Sequence, residues 1–128
     1  MSFKFNYPAE KVEVIADGKL LWRSIENILS NIFNYALEAS RVYIDISHEK
    51  DGILLCFKNI SKYELNITEE ELMERFKRGD ESRTSQGSGL GLSITKSLIE
   101  NQNGKFEINI DGDLFKSIIY LPGVEKSS

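Results

Sequence analysis

Apolar and polar positions along the chain change period several times, and the changes mark out its elements. Phe3 to Tyr7 alternates and predicts a short strand, and Lys11 to Ala16 alternates again after the turn at Pro8. Asp17 then offers an N-cap for a long helix over Lys19 to Glu38. At 100° per residue, Leu21, Ile25, Ile28, Leu29, Ile32, Phe33 and Ala36 fall on one broad face. Arg23, Asn27, Ser30, Asn31, Asn34 and Glu38 fall on the opposite one. Two apolar runs follow, Arg41 to Ser47 and Ile53 to Asn59, with Asp51-Gly52 between them as a hairpin signal.

Beyond the irregular stretch Ser61 to Thr68, the run Thr68-Glu69-Glu70-Glu71 is a capping box that opens a short helix to Phe76. Lys77 to Ser88 is polar and without period, which predicts a mobile loop of about 12 residues, a length usually functional in a compact domain. A further helix is expected over Leu90 to Asn101, ended by Asn103-Gly104. Lys105 to Ile110 and Leu114 to Leu121 would close the chain as a hairpin around Asp111-Gly112-Asp113. The order β-β-α-β-β-α-loop-α-β-β pairs like with like and departs from regular βαβ alternation. It predicts an α/β fold: a two-layer sandwich whose mixed, mostly antiparallel sheet is covered on one face by helices.

The chain's 128 residues fit a single domain, 1–128, with one core. The formal net charge of −4 argues against nucleic acid as a main partner, because a phosphate backbone calls for a basic footprint. No apolar run approaches the ~18 residues of a membrane span. The lone Cys56 sits in an apolar run and reads as a buried thiol in a reducing compartment. One Cys and one His leave too few ligands for a zinc site. The Walker phosphate loop and the G-x-S-x-G nucleophile elbow are both missing.

Two features carry chemistry. Gln86-Gly87-Ser88-Gly89-Leu90-Gly91-Leu92 sets three glycines at alternate positions directly before a helix. Glycines let backbone approach a ligand closely, and a helix start supplies unpaired N–H groups and a positive dipole end, which together suit a phosphate. The second is the carboxamide series Asn27, Asn31, Asn34 at i, i+4, i+7. Asparagine is a poor interior helix residue, and such a local inconsistency points to a site. Three carboxamides in line suit phosphate oxygens and a hydrated Mg²⁺.

Trp22 to Tyr35 resembles the N box of sensor histidine kinases, Leu72 to Arg83 their F box, and Gly87 to Leu92 their second glycine box, in matching order and spacing. The resemblance covers essentially the whole chain. It implies the ATP-binding catalytic domain of a two-component histidine kinase, in the Bergerat-fold superfamily shared with gyrase and MutL, with a mobile ATP lid. By matching position, Asn31 would bind Mg²⁺, Asn27 would face the phosphates, and Tyr35 would flank the adenine or ribose. Phe76 would anchor the lid. Arg78 and Arg83 would reach the phosphates from it. Gly87, Ser88, Gly89 and Gly91 would form the closing loop, with the amides of Leu90 and Gly91 as donors.

Two positions depart from the family pattern. Asn34 stands where many members carry a Lys beside the N-box Tyr. Asn59-Ile60-Ser61-Lys62-Tyr63 stands where the first glycine box is usually Asp-x-Gly-x-Gly. Asn59 keeps a carbonyl acceptor for the adenine amino group, but both glycines are replaced.

The resemblance implies transfer of the γ-phosphoryl group of ATP to a histidine on a separate helical dimerisation domain, and indirectly a response regulator as a further partner. His48, at the end of a predicted strand, reads as a surface residue and not as that acceptor. The chain is therefore expected to be an excised, monomeric catalytic domain that binds Mg-ATP with little turnover, from a membrane-anchored parent. Two alternatives stand beside it: an interaction module with a degenerate nucleotide site, and an anti-sigma-type serine kinase of the same superfamily.

Overall fold

A computed structural model describes residues 2–8, 16–49, 52–62, 68–78 and 90–123. Its elements are β1 (Ser2–Asn6), α1 (Gly18–Tyr35), β2 (Arg41–Glu49), β3 (Gly52–Ile60), α2 (Glu69–Arg78), α3 (Leu90–Glu100), β4 (Lys105–Asp111) and β5 (Leu114–Pro122). The five strands form one sheet in the order β1-β2-β3-β5-β4. β1 runs parallel to β2 and every other neighbouring pair is antiparallel. The expected strand over Lys11 to Ala16 lies almost wholly outside the described residues.

The layers follow from alternation. Along β5, Phe115, Ser117, Ile119 and Leu121 are buried, while the residues between them are half-buried. With Val42, Phe57, Phe106 and Ile108 they meet Ile28 and Ile32 of α1 and Leu92 and Ile99 of α3 in one core. Helices thus cover one face of a mixed, mostly antiparallel sheet. On its other face Lys58 pairs with Asp45 at 3.0 Å. Among the described residues, no helix is long and apolar enough to cross a membrane.

Several boundaries differ from the expectation, each for a physical reason. α1 ends at Tyr35, not Glu38, because Ala36 turns extended and forms a bridge to Ser61, while the Leu37 N–H donates to the Ile60 carbonyl at 2.7 Å. Sheet pairing there outcompetes helix continuation. Phe33 was placed on the buried face but is 61% exposed. It lies about 140° round the helix from Ile28, on the flank, where its ring meets Phe3 of β1 at 5.9 Å. Asn31, expected on the opposite, polar face, is only 5% exposed.

Gly52 is the first residue of β3, paired with Glu49, and not a turn residue. A Cβ there would stand 2.4 Å from the Leu121 carbonyl oxygen and 2.6 Å from the Tyr120 ring, so the glycine serves close packing. α2 runs two residues past Phe76, to Arg78, which shortens the expected loop at its start. The Thr68 hydroxyl accepts from the Glu71 N–H at 3.2 Å, the first half of the capping box. The α3 stop is a Schellman motif. Asn103 takes φ 64°, its N–H donates to Glu100 O at 3.1 Å, and the Gly104 N–H donates to Ile99 O at 3.0 Å.

Candidate functional site

The two features singled out in the sequence lie on, or lead into, two helices that are tied together. The N-cap of α1, Asp17, donates its backbone N–H to the side chain of Gln102, just past the end of α3. The start of α1 therefore lies at the end of α3, and the two helices pack antiparallel. At 1.5 Å per residue, Asn27 and Asn31 stand about 15 and 21 Å along α1 from that junction, and Leu90 stands about 18 Å along α3. The asparagines and the first turn of α3 are level with one another at the far end.

Asn31 is the sharpest feature there. Its Oδ1 is buried and has no hydrogen-bond partner among the described residues. Leaving a buried acceptor unmade costs about 1–3 kcal/mol, so such an atom marks a site that something else completes. Asn27, one turn earlier, is half-buried. Asn34 behaves differently: its Nδ2 donates to the Ser30 carbonyl at 2.7 Å, within its own helix.

The first turns of the three helices differ in charge. α1 begins with the Asp17 carboxylate accepting from the Lys19 and Leu20 amides at 3.0 and 3.1 Å. α2 begins with Glu69, Glu70 and Glu71 in its first turn. The first turn of α3 carries no acidic residue, so nothing within that turn offsets the positive end of its dipole. Leu90 and Gly91 occupy that turn as helix and not as loop, and their N–H groups are among the four that a helix start leaves without an intrahelical partner.

The third wall is the end of β3. The Lys62 N–H donates to the Tyr35 carbonyl at 2.9 Å and Ala36 bridges Ser61, so the C-terminus of α1 is laced to the segment carrying Asn59. Asn59 is 3% exposed, on the sheet face that carries the core. Asn27, Asn31 and Tyr35 thus share α1, Leu90 and Gly91 open the helix packed against it, and Asn59 lies on the strand whose end is bonded to the end of α1. Arg78 is the last residue of α2 and not part of a loop. Arg83, Gly87, Ser88 and Gly89 lie outside the described residues.

Sequence reasoning missed Gln102 altogether, although it is 8% exposed. A buried glutamine just before an Asn-Gly helix stop was the available signal. It also missed the small polar groups in the core, Ser24, Thr95 and Ser117, all at most 1% exposed. Ser24 is satisfied within α1 by donating to the Leu20 carbonyl at 2.9 Å.

The family model for the histidine kinase-, DNA gyrase B- and HSP90-like ATPases matches residues 16–123. The chain belongs to this family. The match takes in α1, α3 and the end of β3, every wall of the site described above. Among the relatives of this ATPase domain is a probable sensor kinase, SilS of Salmonella typhimurium, 34% identical over 128 residues, which span 96% of this chain and 25% of that protein. Another is the sensor histidine kinase HprS of Escherichia coli, 38% identical over 93 residues, 72% of this chain and 20% of that protein. The chain thus spans about a quarter or less of the length of these sensor kinases.

In fold, the domain is similar to the catalytic domain of histidine kinase ThkA, with a TM-score of 0.78 at 24% identity over 95% of this chain and 78% of that one. It is also similar to the mycobacterial sensor histidine kinase MprB, with a TM-score of 0.75 at 23% identity over 98% and 83%. The expected fold class, family and ATP-binding role all stand.

Proposed function

We propose that this ATPase domain binds Mg-ATP and donates the γ-phosphoryl group to a histidine on a separate helical domain of its parent sensor kinase. The observation that carries the reading is the buried Asn31 Oδ1, without a hydrogen-bond partner among the described residues, on a helix packed against α3. A neutral, buried carboxamide oxygen suits Mg²⁺, which takes oxygen ligands and keeps several of its waters. Bound there, the ion would neutralise charge on the phosphate oxygens.

Each residue has a task in this reading. Asn31 holds the ion, and Asn27 orients a phosphate oxygen from one turn away. The Leu90 and Gly91 amides donate to the phosphates, backed by the α3 dipole. Asn59 accepts from the adenine amino group, and Tyr35 flanks the base or ribose. Arg78 and Arg83 supply positive charge from α2 and the residues after it, and Gly87, Ser88 and Gly89 lead into α3. In transfer, the bond between the γ-phosphorus and the bridging oxygen breaks, a phosphorus–nitrogen bond to the acceptor imidazole forms, and ADP leaves. The protein's work is positioning and charge stabilisation. The acceptor histidine, a response regulator downstream and membrane anchorage belong to the longer parent. His48, on β2, is exposed and is not assigned that role.

Calorimetric titration of the chain with ATP tests the reading. Heat is expected with Mg²⁺ present, and weaker binding with the metal chelated. Binding that ignores both the metal and Asn31→Leu would overturn it.

A further inference from the structure

Two helix caps meet across the molecule. Asp17, the N-cap of α1, uses its carboxylate to accept from the Lys19 and Leu20 amides. Its own backbone N–H donates to Gln102 Oε1 at 2.8 Å, from a residue 85 positions away in sequence. Gln102 is the C-cap of α3: the Schellman bonds from Asn103 to Glu100 and from Gly104 to Ile99 define it as such. Its Nε2 donates to the Leu98 carbonyl at 3.0 Å, so both ends of the carboxamide are committed. Gly104 fixes the cap against the sheet, since a Cβ there would stand 2.5 Å from the Tyr120 carbonyl oxygen.

We infer that Gln102 is a positioning residue for the nucleotide cleft: it pins α1 to α3 at their closed end and so sets the gap between Asn31 and the first turn of α3 at the open end. The inference rests on the ATP-site reading given above. The lever is geometric. The pin lies about 18 Å from the mouth along α3. A tilt of about 3° about the pin moves a group at the mouth by about 1 Å, a misplacement large enough to cost on the order of a hundredfold in a positioned reaction. The side chain touches neither phosphate nor metal in this arrangement. It acts through the backbone of Asp17, and hence through the whole of α1.

The two bonds of Gln102 can be separated by substitution. Gln102→Met keeps the side-chain length and removes both the acceptor for Asp17 and the donor to Leu98. Gln102→Glu keeps an oxygen for the Asp17 N–H and gives up the donor to Leu98. Calorimetry with Mg-ATP, well below both melting temperatures, is expected to show at least tenfold weaker binding for Gln102→Met and binding within threefold of the native chain for Gln102→Glu. Ile108→Val, a core change remote from the cleft, controls for stability loss and leaves affinity unchanged.

A ligand-free readout separates this claim from the ATP reading. In a Cys56→Ser background, nitroxides at the exposed positions Phe33 and Lys96 report the spacing of α1 and α3 by electron–electron double resonance. Gln102→Met is expected to shift or broaden that distance by about 1 Å or more, and Gln102→Glu to leave it. Absence of ATP binding by the native chain would sink the ATP reading. An unchanged distance in Gln102→Met, or equal loss of affinity in Met and Glu variants, would sink the pin. Gln102→Asn, one methylene too short to span, takes the place of Gln102→Met in both measurements if that variant does not fold.

Discussion

Asn31 and Asn34 lie three residues apart on α1 and are used in opposite ways: Asn34 Nδ2 donates to the Ser30 carbonyl at 2.7 Å, whereas Asn31 Oδ1 is buried with no partner among the described residues. The pair separates stability from function. Asn31→Leu removes an unmet acceptor from a buried position, so the free domain is expected to gain about 1 kcal/mol. The same change abolishes Mg-dependent ATP binding. Asn34→Ala leaves nucleotide affinity within about twofold, because that side chain already serves its own helix. Thermal melts with and without Mg-ATP check both. The native domain at a hundred times its dissociation constant should gain about 2.7 kcal/mol and Asn31→Leu nothing. A stabilised Asn31→Leu that still binds would contradict the assignment.

Asn59 is neutral where the resembling kinases carry an aspartate. A carboxylate accepts a hydrogen bond more strongly than a carboxamide, by about 1 kcal/mol. Asn59→Asp is therefore expected to bind ATP roughly fivefold more tightly. At 3% exposure the unliganded charge is also expected to lower the melting temperature of the free domain. Calorimetry and melting curves on one preparation read the two effects, and tighter binding without lost stability would show that the site is more solvated than its burial indicates.

Close approach explains Gly52 and Gly104, and substitution tests it. Alanine at either would place a Cβ 2.4 or 2.5 Å from a carbonyl oxygen of β5. Each is expected to destabilise by about 1–3 kcal/mol, as overpacking does. Gly18→Ala meets nothing within 4 Å and is expected to be neutral or mildly stabilising. Urea denaturation of the three variants gives the order directly.

Alkaline stability follows from the open sheet face. The hydrogen bond to Asp45 pushes the Lys58 ammonium above its ordinary 10.5, and burial pushes the Cys56 thiol above its ordinary 9.0. In both cases the folded chain holds its proton more tightly than the unfolded chain. Their contributions are thus complete below about pH 9 and are lost as pH rises through the raised values. Melting temperature is expected to be flat in this respect from pH 7 to 9 and to fall above it. Replacing both groups, as Cys56→Ser with Lys58→Met, should flatten the decline. An unchanged alkaline slope in the double variant would refute the origin.

Periodicity was enough to read β2, β3, β4, β5 and α3 to within a residue or two, because each buries one face and its alternation or 3.6-residue repeat records that burial. The long helix was legible in its start, where Asp17 caps it through local chemistry, and not in its end. Nothing local stops it at Tyr35. The chain leaves the helix there because Ser61, distant in sequence, offers Ala36 and its neighbours sheet-like partners.

The site divides the same way. Residue type and spacing by themselves determined that this chain carries carboxamides at helical intervals and a glycine-rich entry to a second helix, since both are patterns within one segment. Only the tertiary structure decided that Asn31 is buried and Asn34 self-satisfied, that α1 and α3 pack together, and that Gln102 ties the start of one to the end of the other. Those are relations between segments as many as 85 residues apart. They depend on how helices pack on a sheet, which no single stretch of sequence encodes.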